Sequence, residues 1–401
     1  MDPDLRSGLL GVAAVANARR PFIRSQALTL PSFFAGWVGT EAAQVFFTSH
    51  ALRAVAQVRG GRHRTTTQRL ALVARGAALV GYAGLIREGR RSAREFEPVL
   101  GEHLSAEALA ARPKSVRAGQ WLPFLMGQSR RTMRRNVAYG PGGWRHKMDV
   151  VLPKSGPATK RPALVQIHGG GWILGNKQQQ GLALLNHMAA QGWVGFNINY
   201  HLAPRTKFPG QLVDAKMAVA WIREHADEFG VDPDFIAVTG GSAGGYLSAM
   251  MALTANDPEF QPGFESSDTT VQAAVPFYGV YDLLDRDRAM APGFHHFLQK
   301  MVVGSKAVDD GERWTRLSPI DRVHADAPPM MILHGTVDTL VPVEQARPFA
   351  QAMKTASDHA VLYVEPAGAN HAFDIFPSPR SVRTVEYVER FLDGVRRGAI
   401  K

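Results

Sequence analysis

From about residue 130 onward, short apolar runs alternate with longer segments that have the spacing of amphipathic helices. The longer segments predict helices over 213–229, 243–253 and 343–353. An alternation of this kind is typical of a mostly parallel sheet that is covered by helices on both faces. The short runs predict eight strands: 137–139, 148–152, 163–167, 194–198, 235–238, 273–277, 330–333 and 361–364. The first two flank Pro141-Gly142-Gly143, which predicts a hairpin.

One long segment, 281–323, interrupts this alternation. It is charged and carries aromatic residues, and its length is unusual for a simple connection, so we predict an insertion that lies over the sheet edge as a lid. We expect Phe294, Phe297 and Trp314 to pack together in a small core. The alternative is that they line a tunnel for an acyl chain.

The first 130 residues have a different pattern. Two apolar stretches, 27–47 and 70–86, approach the roughly 20 residues that span a bilayer. Glu41 and Arg75 interrupt them, and a two-pass hairpin would have to carry the arginines between them across the membrane. We therefore predict a helical extension over 1–130 that lies on a membrane surface or packs on a catalytic domain, which would comprise 131–401 with the lid at about 281–323.

Charge separates the same two regions. Residues 1–150 contain 23 Lys and Arg against 9 Asp and Glu, whereas the remainder is slightly acidic and the whole chain carries +11. An apolar, cationic segment favours contact with anionic lipid and a membrane or cell-envelope location. A solvated arginine-rich surface on a cytoplasmic protein is the alternative. Nucleic-acid binding is not expected, because no recognition module is present.

No cofactor or metal site is predicted. The chain has no cysteine, which excludes disulfides and thiolate metal sites. Its glycine runs also miss the nucleotide-binding patterns, because Leu174 stands where G-x-G-x-x-G needs glycine and Asn176-Lys177 where a P-loop needs Lys-Ser/Thr.

The stretch TGGSAGGY places Ser242 among glycines, between the predicted strand 235–238 and the predicted helix 243–253. A serine nucleophile needs a sharp strand-to-helix turn that presents its hydroxyl, and neighbours two residues away must then be small. Gly240 and Gly244 satisfy that requirement. The helix that follows would offer the Ala243 amide to a developing negative charge.

A second glycine run, HGGGW, follows the predicted strand 163–167. Consecutive glycines allow two backbone amides to point at one spot, and this loop is where the other half of an oxyanion hole forms next to a nucleophile turn. We assign Gly170 and Gly171 as donors, together with Ala243.

An acid and a histidine must follow the serine in that order. Asp338 comes just after the predicted strand 330–333, and His371 lies in a loop after the last strand. Asp338 would then hold the imidazole in the correct tautomer while His371 accepts the serine proton. Four other residues are competing candidates: Asp326, Asp374, His334 and His359.

The set HGGGW, YHLAP, FPGQLVD, GGSAGG, HGTVD and NHAF resembles the hormone-sensitive-lipase family of α/β-hydrolases, and most closely the actinobacterial Lip-type carboxylesterases. The resemblance covers about residues 130–401. It implies an α/β-hydrolase fold with an eight-stranded sheet, the triad Ser242, Asp338 and His371, and the oxyanion donors Gly170, Gly171 and Ala243. Members of this group also carry an arginine-rich N-terminal extension.

Three positions depart from that family. Gly241 stands in place of the usual acid before the serine, and His201 and Arg205 replace an Arg and a Glu. The first departure bears on substrate preference and the second on local ion pairing. The sequence thus predicts a serine hydrolase of small-molecule or lipid carboxylic esters that works through an acyl-enzyme. Its alternatives are an amide hydrolase, such as an arylformamidase or a small peptidase, and a non-catalytic receptor on a hydrolase scaffold.

Overall fold

Eight strands form one sheet at the centre of the computed structural model, which describes residues 1–21, 26–110, 132–154 and 160–401. The strands are β1 (Thr132–Ala138), β2 (Lys147–Leu152), β3 (Arg161–Ile167), β4 (Val194–Ile198), β5 (Val231–Gly241), β6 (Ala273–Phe277), β7 (Met330–Leu333) and β8 (Val361–Val364). Their order in the sheet is β1-β2-β4-β3-β5-β6-β7-β8. The eight-stranded sheet that the sequence predicts is confirmed.

Strand direction determines where a site can form. β2 is antiparallel to both β1 and β4, whereas β3 to β8 are parallel to one another. The predicted hairpin is therefore present. Because the carboxyl ends of parallel strands meet at one edge, the loops after β3, β5, β7 and β8 converge there.

Helices cover both faces of the sheet. They are α1 (Pro3–Arg19), α2 (Gln26–Glu41), α3 (Ala43–Arg59), α4 (Thr66–Arg91), α5 (Ala93–Gly101), α6 (Ala106–Ala110), α7 (Leu182–Ala190), α8 (Gly210–Glu224), α9 (Ala226–Phe229), α10 (Ala243–Leu253), α11 (Phe294–Phe297), α12 (Gly311–Arg316), α13 (Ala346–Ala356) and α14 (Pro379–Arg396). The predicted helix 243–253 is confirmed. The predicted helix 213–229 is interrupted at His225, and the predicted helix 343–353 begins as a 3-10 turn at Val343–Gln345.

Alternate strand residues pack in two cores. In β5, Ile236 and Val238 face the core that includes α8, α10 and α13, whereas Ala237 faces the core that includes α7 and α14. All three side chains are fully buried. This alternation follows from the period of two along a strand, and it explains why the buried strands appear in the sequence as continuous apolar runs.

The insertion between β6 and β7 contains α11, a π-helical segment (Leu298–Val303), α12 and a 3-10 turn (Pro319–Arg322). Trp314 is fully buried, and Phe294 and Phe297 pack against the same core, but this is the large core that includes α10 and not the small core that we expected. Phe297 is half-buried, and its ring lies 3.6 Å from the position that a Cβ would have on Gly171. The insertion therefore reaches the glycine loop after β3.

The N-terminal helices pack in two ways. α1, α3 and α4 share a small core of their own, which is formed by Val15, Ala18, Ala43, Ala78, Tyr82 and Leu85. α2 and α5 instead contribute Phe33, Phe96 and Leu100 to a core of the central sheet. The predicted domain boundary at residue 130 lies outside the described residues, and the division into two domains stays a prediction.

Length and composition single out one stretch that could cross a membrane. Among the residues that the structure describes, Thr66–Gly101 meets both criteria, and a third of its most apolar window is buried. Arg75 lies within this stretch, is fully buried and pairs with Asp4 of α1 at 3.0 Å. Its C-terminal part also packs on the sheet through Phe96, whose ring stacks on Tyr387 with 5.0 Å between ring centroids.

Candidate active site

Ser242 stands at the turn between β5 and α10. Its φ of 58° and ψ of −120° are unusual for a residue with a side chain, and such strain persists only where the surroundings enforce it. The Ser242 amide donates to the carbonyl oxygen of Phe277 at 3.0 Å, which fixes the turn to the neighbouring β6. The residue is half-buried.

The glycines around Ser242 are required by close contacts. A Cβ on Gly244 would lie 2.0 Å from the carbonyl oxygen of Ile167, because α10 begins directly against β3. A Cβ on Gly241 would lie 2.5 Å from the hydroxyl oxygen of Tyr278. The departure from the family's acid at Gly241 thus has a steric reason, since Tyr278 occupies the space that such a side chain would need.

The glycine loop after β3 lies beside this turn. The position of a Cβ on Gly169 is 3.1 Å from Cβ of Ser242. Gly170 and Gly171 have φ values of 119° and 59°, which few other residues adopt. Ala243 is the first residue of α10, where an amide has no partner within the helix. The three predicted oxyanion donors therefore belong to two adjacent backbone segments.

Hydrogen bonds hold the loop in place. The Gly169 amide donates to Oε1 of Gln180 at 2.7 Å. Tyr200 donates to the carbonyl oxygen of His168 at 2.8 Å, and the two rings stack with 4.2 Å between centroids. Burial lowers the pKa of His168 to about 4, so this imidazole is neutral at physiological pH and supports the loop rather than acting as a charge.

Asp338 and His371 lie together at the carboxyl edge of the sheet. His371 Nδ1 is 2.7 Å from Oδ2 of Asp338, and both side chains are buried. The amides of Leu340 and Val341 donate to Oδ1 of Asp338 at 2.9 and 2.8 Å. With its proton on Nδ1, the neutral imidazole presents the lone pair of Nε2 as a proton acceptor.

The carboxylate of Asp338 remains ionised. Burial by itself would raise its pKa, but the charge of His371 and hydrogen bonds from His334 and His371 outweigh that effect and hold the pKa at about 2. His334 is fully buried, with its Nε2 at 2.8 Å from the carbonyl oxygen of Val341 and 3.5 Å from Asp338 Oδ2. His334, one of the competing candidates, therefore lies beside Asp338.

Tyr278 connects the serine turn to the imidazole. Its ring centroid is 4.5 Å from that of His371, and its hydroxyl abuts Gly241. That hydroxyl donates to Oδ1 of Asp374, and burial raises its pKa well above the usual value, so that it stays a donor. Asp374 is thus engaged by Tyr278. The two remaining candidates, Asp326 and His359, are exposed.

Three supporting residues were not foreseen from the sequence: Gln180, Tyr278 and Asn370. Oδ1 of Asn370 accepts hydrogen bonds from the amides of His371 and Thr339 at 2.7 and 3.1 Å. Asn370 therefore connects the loop that carries His371 (the histidine loop) to the loop after β7 that carries Asp338 (the acid loop). Asn370 is adjacent to His371, and Tyr278 directly follows β6 at the carboxyl edge. Position at that edge is the signal that could have identified Tyr278.

One group of potential metal ligands lies together within the described ranges: His146, His201 and Asp214. His146 Nε2 and His201 Nδ1 are 2.8 and 2.9 Å from the two oxygens of Asp214. The Gly142 amide donates to His146 Nδ1 at 2.9 Å, which leaves the proton of the neutral ring on Nε2, the atom that faces the carboxylate. A proton there opposes metal binding, and the group forms a hydrogen-bond network in which His201 takes the place of the family's arginine.

Comparison with known proteins identifies the family. The family model described as BD-FAE matches residues 148–353. The probable carboxylic ester hydrolase LipM of Mycobacterium tuberculosis is 39% identical over 95% of this chain and 90% of its own length. The esterase LipQ of the same organism is 39% identical over 92% of this chain and 86% of its own. The chain belongs to the hormone-sensitive-lipase family of carboxylesterases.

Solved esterases share the fold of this carboxylesterase. The thermophilic esterase Est2 of Thermogutta terrifontis is 29% identical and superposes with a TM-score of 0.55. The superposition covers 67% of this chain and 93% of Est2. The predictions of an α/β-hydrolase fold and of carboxylic-ester hydrolysis are confirmed.

Proposed function

We propose that Ser242, His371 and Asp338 hydrolyse carboxylic esters through a covalent acyl-enzyme. The observation that carries this assignment is the 2.7 Å contact between His371 Nδ1 and Asp338 Oδ2, at the same sheet edge as the strained serine turn. The two amides that satisfy the other oxygen of Asp338 leave Oδ2 available to the imidazole.

In the proposed reaction each of these groups has one role. Ser242 Oγ attacks the ester carbonyl carbon while His371 Nε2 takes the hydroxyl proton. The amides of Gly170, Gly171 and Ala243 stabilise the oxyanion, each donor contributing about 3 kcal/mol. The intermediate collapses and His371 returns the proton to the departing alcohol. Water then attacks the acyl-enzyme, again with His371 as base, and releases the acid and free Ser242.

An active-site probe tests this proposal. Est2 of Thermogutta terrifontis has been solved in a form phosphorylated by paraoxon, so the same reagent suits this chain. We expect paraoxon to add one phosphoryl group to the wild type and to abolish hydrolysis of p-nitrophenyl esters, with neither labelling nor hydrolysis in Ser242→Ala. Ser248→Ala is the matched control on α10, because within the described ranges its hydroxyl donates to the carbonyl oxygens of Gly244 and Gly245 in its own helix. Labelling that persists in Ser242→Ala overturns the assignment.

We further propose that the N-terminal helices bind an anionic membrane surface. Apolar side chains are exposed along one face of α4, where Leu70, Val73 and Val80 recur at helical spacing and Val73 and Val80 are 68% and 75% exposed. Leu52 and Val55 on α3 are exposed in the same way. Arginines accompany both helices, as in segments that lie in the lipid interface.

Vesicle binding by the full chain tests this second proposal. We expect Val73→Glu to weaken binding to vesicles that contain phosphatidylglycerol, and wild type to bind pure phosphatidylcholine vesicles less well. Val308→Glu is the control, because Val308 is 88% exposed but lies in the insertion. Equal binding of the two variants, or no binding of the wild type to anionic vesicles, contradicts the proposal.

A further inference from the structure

Helix α2 of the N-terminal extension lies directly on the loop that carries His371. Trp37 Nε1 donates to the carbonyl oxygen of Ala372 at 2.8 Å, across 335 positions of the chain. Ala372 has a φ of 62°, which is unfavourable for a residue with a Cβ. This hydrogen bond therefore supports a strained peptide immediately after the imidazole.

Aromatic packing extends the contact. The Trp37 ring stacks between those of Phe33 and Phe376, with centroid distances of 5.5 and 4.5 Å and interplanar angles of 9° and 17°. Phe33 is buried and places its ring edge-to-face with the imidazole of His371 at 6.1 Å between centroids. One face of the histidine loop is thus covered by side chains of α2.

The backbone of α2 approaches the loop most closely at Gly36. A Cβ at this position would lie 2.8 Å from Nδ2 of Asn370. Asn370 has little freedom to move away, because it is fully buried and its Oδ1 already accepts hydrogen bonds from Thr339 and His371. Only glycine lets the helix lie this close to the group that ties the two catalytic loops together.

The end of α2 is anchored to the same region. Glu41 accepts hydrogen bonds from Ser378 and Arg380, and all three side chains are buried. Arg380 also donates to the carbonyl oxygen of Ala367 at 3.0 Å. The loop from Ala367 to Ser378 is therefore held between the final helix α14 and α2.

From these contacts we infer that α2 is part of the active site as a positioning element, with Trp37 and Gly36 as positioning residues for the His371 loop. This inference rests on the proposed role of His371 as the base. It gives the N-terminal extension a function in ester hydrolysis that is independent of lipid binding.

Two glycines on α2 provide a matched pair of variants. Gly36→Ala adds a methyl group against Asn370, whereas Gly39→Ala adds one that meets only ordinary contacts at 3.8 and 3.9 Å. Both changes raise helix propensity, by about 1 kcal/mol. We expect Gly36→Ala to lower kcat for p-nitrophenyl butyrate and the rate of paraoxon labelling at least tenfold, with KM within about twofold. We expect Gly39→Ala to behave as wild type.

Trp37→Phe tests the hydrogen bond to Ala372 while retaining an aromatic ring in the stack. We expect kcat to fall by about tenfold with little change in KM. Amide hydrogen exchange of residues 367–378 should become faster in both Gly36→Ala and Trp37→Phe and stay unchanged in Gly39→Ala. Exchange reports on the loop whether or not the chain hydrolyses esters, so it separates this inference from the proposed function.

Two results overturn the inference. One is an amide hydrogen-exchange rate of residues 367–378 that is the same in Gly36→Ala and Trp37→Phe as in the wild type. The other is equal kcat for Gly36→Ala and Gly39→Ala in an active enzyme. An inactive wild type with faster loop exchange in the two variants would instead refute the proposed function and retain the positioning contact.

Discussion

Among the residues of this site, Asp338 has hydrogen-bond partners at both of its carboxylate oxygens. One carboxylate oxygen accepts two amides and the other faces His371. A carboxylate whose two oxygens both accept hydrogen bonds cannot rotate freely, and it therefore selects one tautomer of the imidazole. The orientation of His371 is therefore determined by the loop after β7.

Asp338→Asn should lower kcat by about 10³- to 10⁴-fold with little change in KM, because an amide NH₂ facing Nδ1 favours the wrong tautomer. Steady-state hydrolysis of p-nitrophenyl esters measures this effect. Asp326→Asn is the control, since Asp326 is exposed and should keep wild-type activity. Similar losses in the two variants would mean that the acid is misassigned.

The low pKa of Asp338 also predicts a pH dependence of stability. The pKa is held at about 2 in the folded chain, against an ordinary value of 3.8. The ionised form thus stabilises the fold above pH 3.8, and that contribution, on the order of 2 kcal/mol, is lost as the pH falls through 2. We expect the difference in unfolding free energy between wild type and Asp338→Asn to narrow from pH 4 to pH 2 in urea titrations. A difference that stays constant over that range contradicts this assignment of the pKa.

Among the elements, the turn from β5 to α10 shows how closely backbone segments pack around the nucleophile. Gly241 has no room for a Cβ because the Tyr278 hydroxyl lies there. Tyr278 in turn is held by Asp374 and packs on His371. The turn, β6 and the histidine loop thus form one packed unit.

Gly241→Ala should destabilise the fold by about 1–3 kcal/mol, since the methyl group must displace the Tyr278 ring. It should also lower kcat, because that ring contacts His371. Denaturant titration and ester hydrolysis measure the two effects. Gly76→Ala is the control: Gly76 lies in α4 with no atom within 4 Å of its Cβ position, so this change should stabilise the helix by up to about 1 kcal/mol. A Gly241→Ala variant with wild-type stability would argue against the contact.

Strands that consist of one continuous apolar run could be predicted from the sequence. The bounds of β4, β6, β7 and β8 agree with the apolar runs. β5 starts four residues before its predicted start. The sequence did not predict these residues as strand because Val231–Phe235 contains two aspartates and Pro233, which indicate a turn. At the site, Ser242, Asp338 and His371 could be selected by their order and by the elements before them. Tyr278 had only its position at the carboxyl edge as a signal, and Trp37 had none, since its contacts depend on tertiary packing.

At the scale of the whole molecule, a buried ion pair connects α2 to α14. Glu41 of α2 and Arg380 of α14 are each about 1% exposed. A buried pair is costly to break from one side, because Arg380 would then keep only the carbonyl oxygen of Ala367 and a longer contact of 3.8 Å with Glu88. The pair therefore joins the extension to the catalytic region.

Glu41→Gln should lower the free energy of unfolding by about 3 kcal/mol, because Arg380 would keep its charge without the buried carboxylate. Glu344→Gln is the control: it also neutralises a glutamate next to an arginine, but both side chains of that pair are more than half exposed, and it should cost less than about 1 kcal/mol. Urea midpoints measure both. The double variant Glu41→Gln/Arg380→Met should recover much of the loss, and equal midpoints for the two single variants would contradict the burial.

The hydrogen bond between Trp37 and Ala372 has a consequence for biosynthesis. During translation, Trp37 is made 335 residues before Ala372, its hydrogen-bond partner. A contact between positions so distant in sequence closes late in folding. The histidine loop therefore gains this support only after residue 372 has been made, and a chain that stops before that residue would leave Trp37 without its partner.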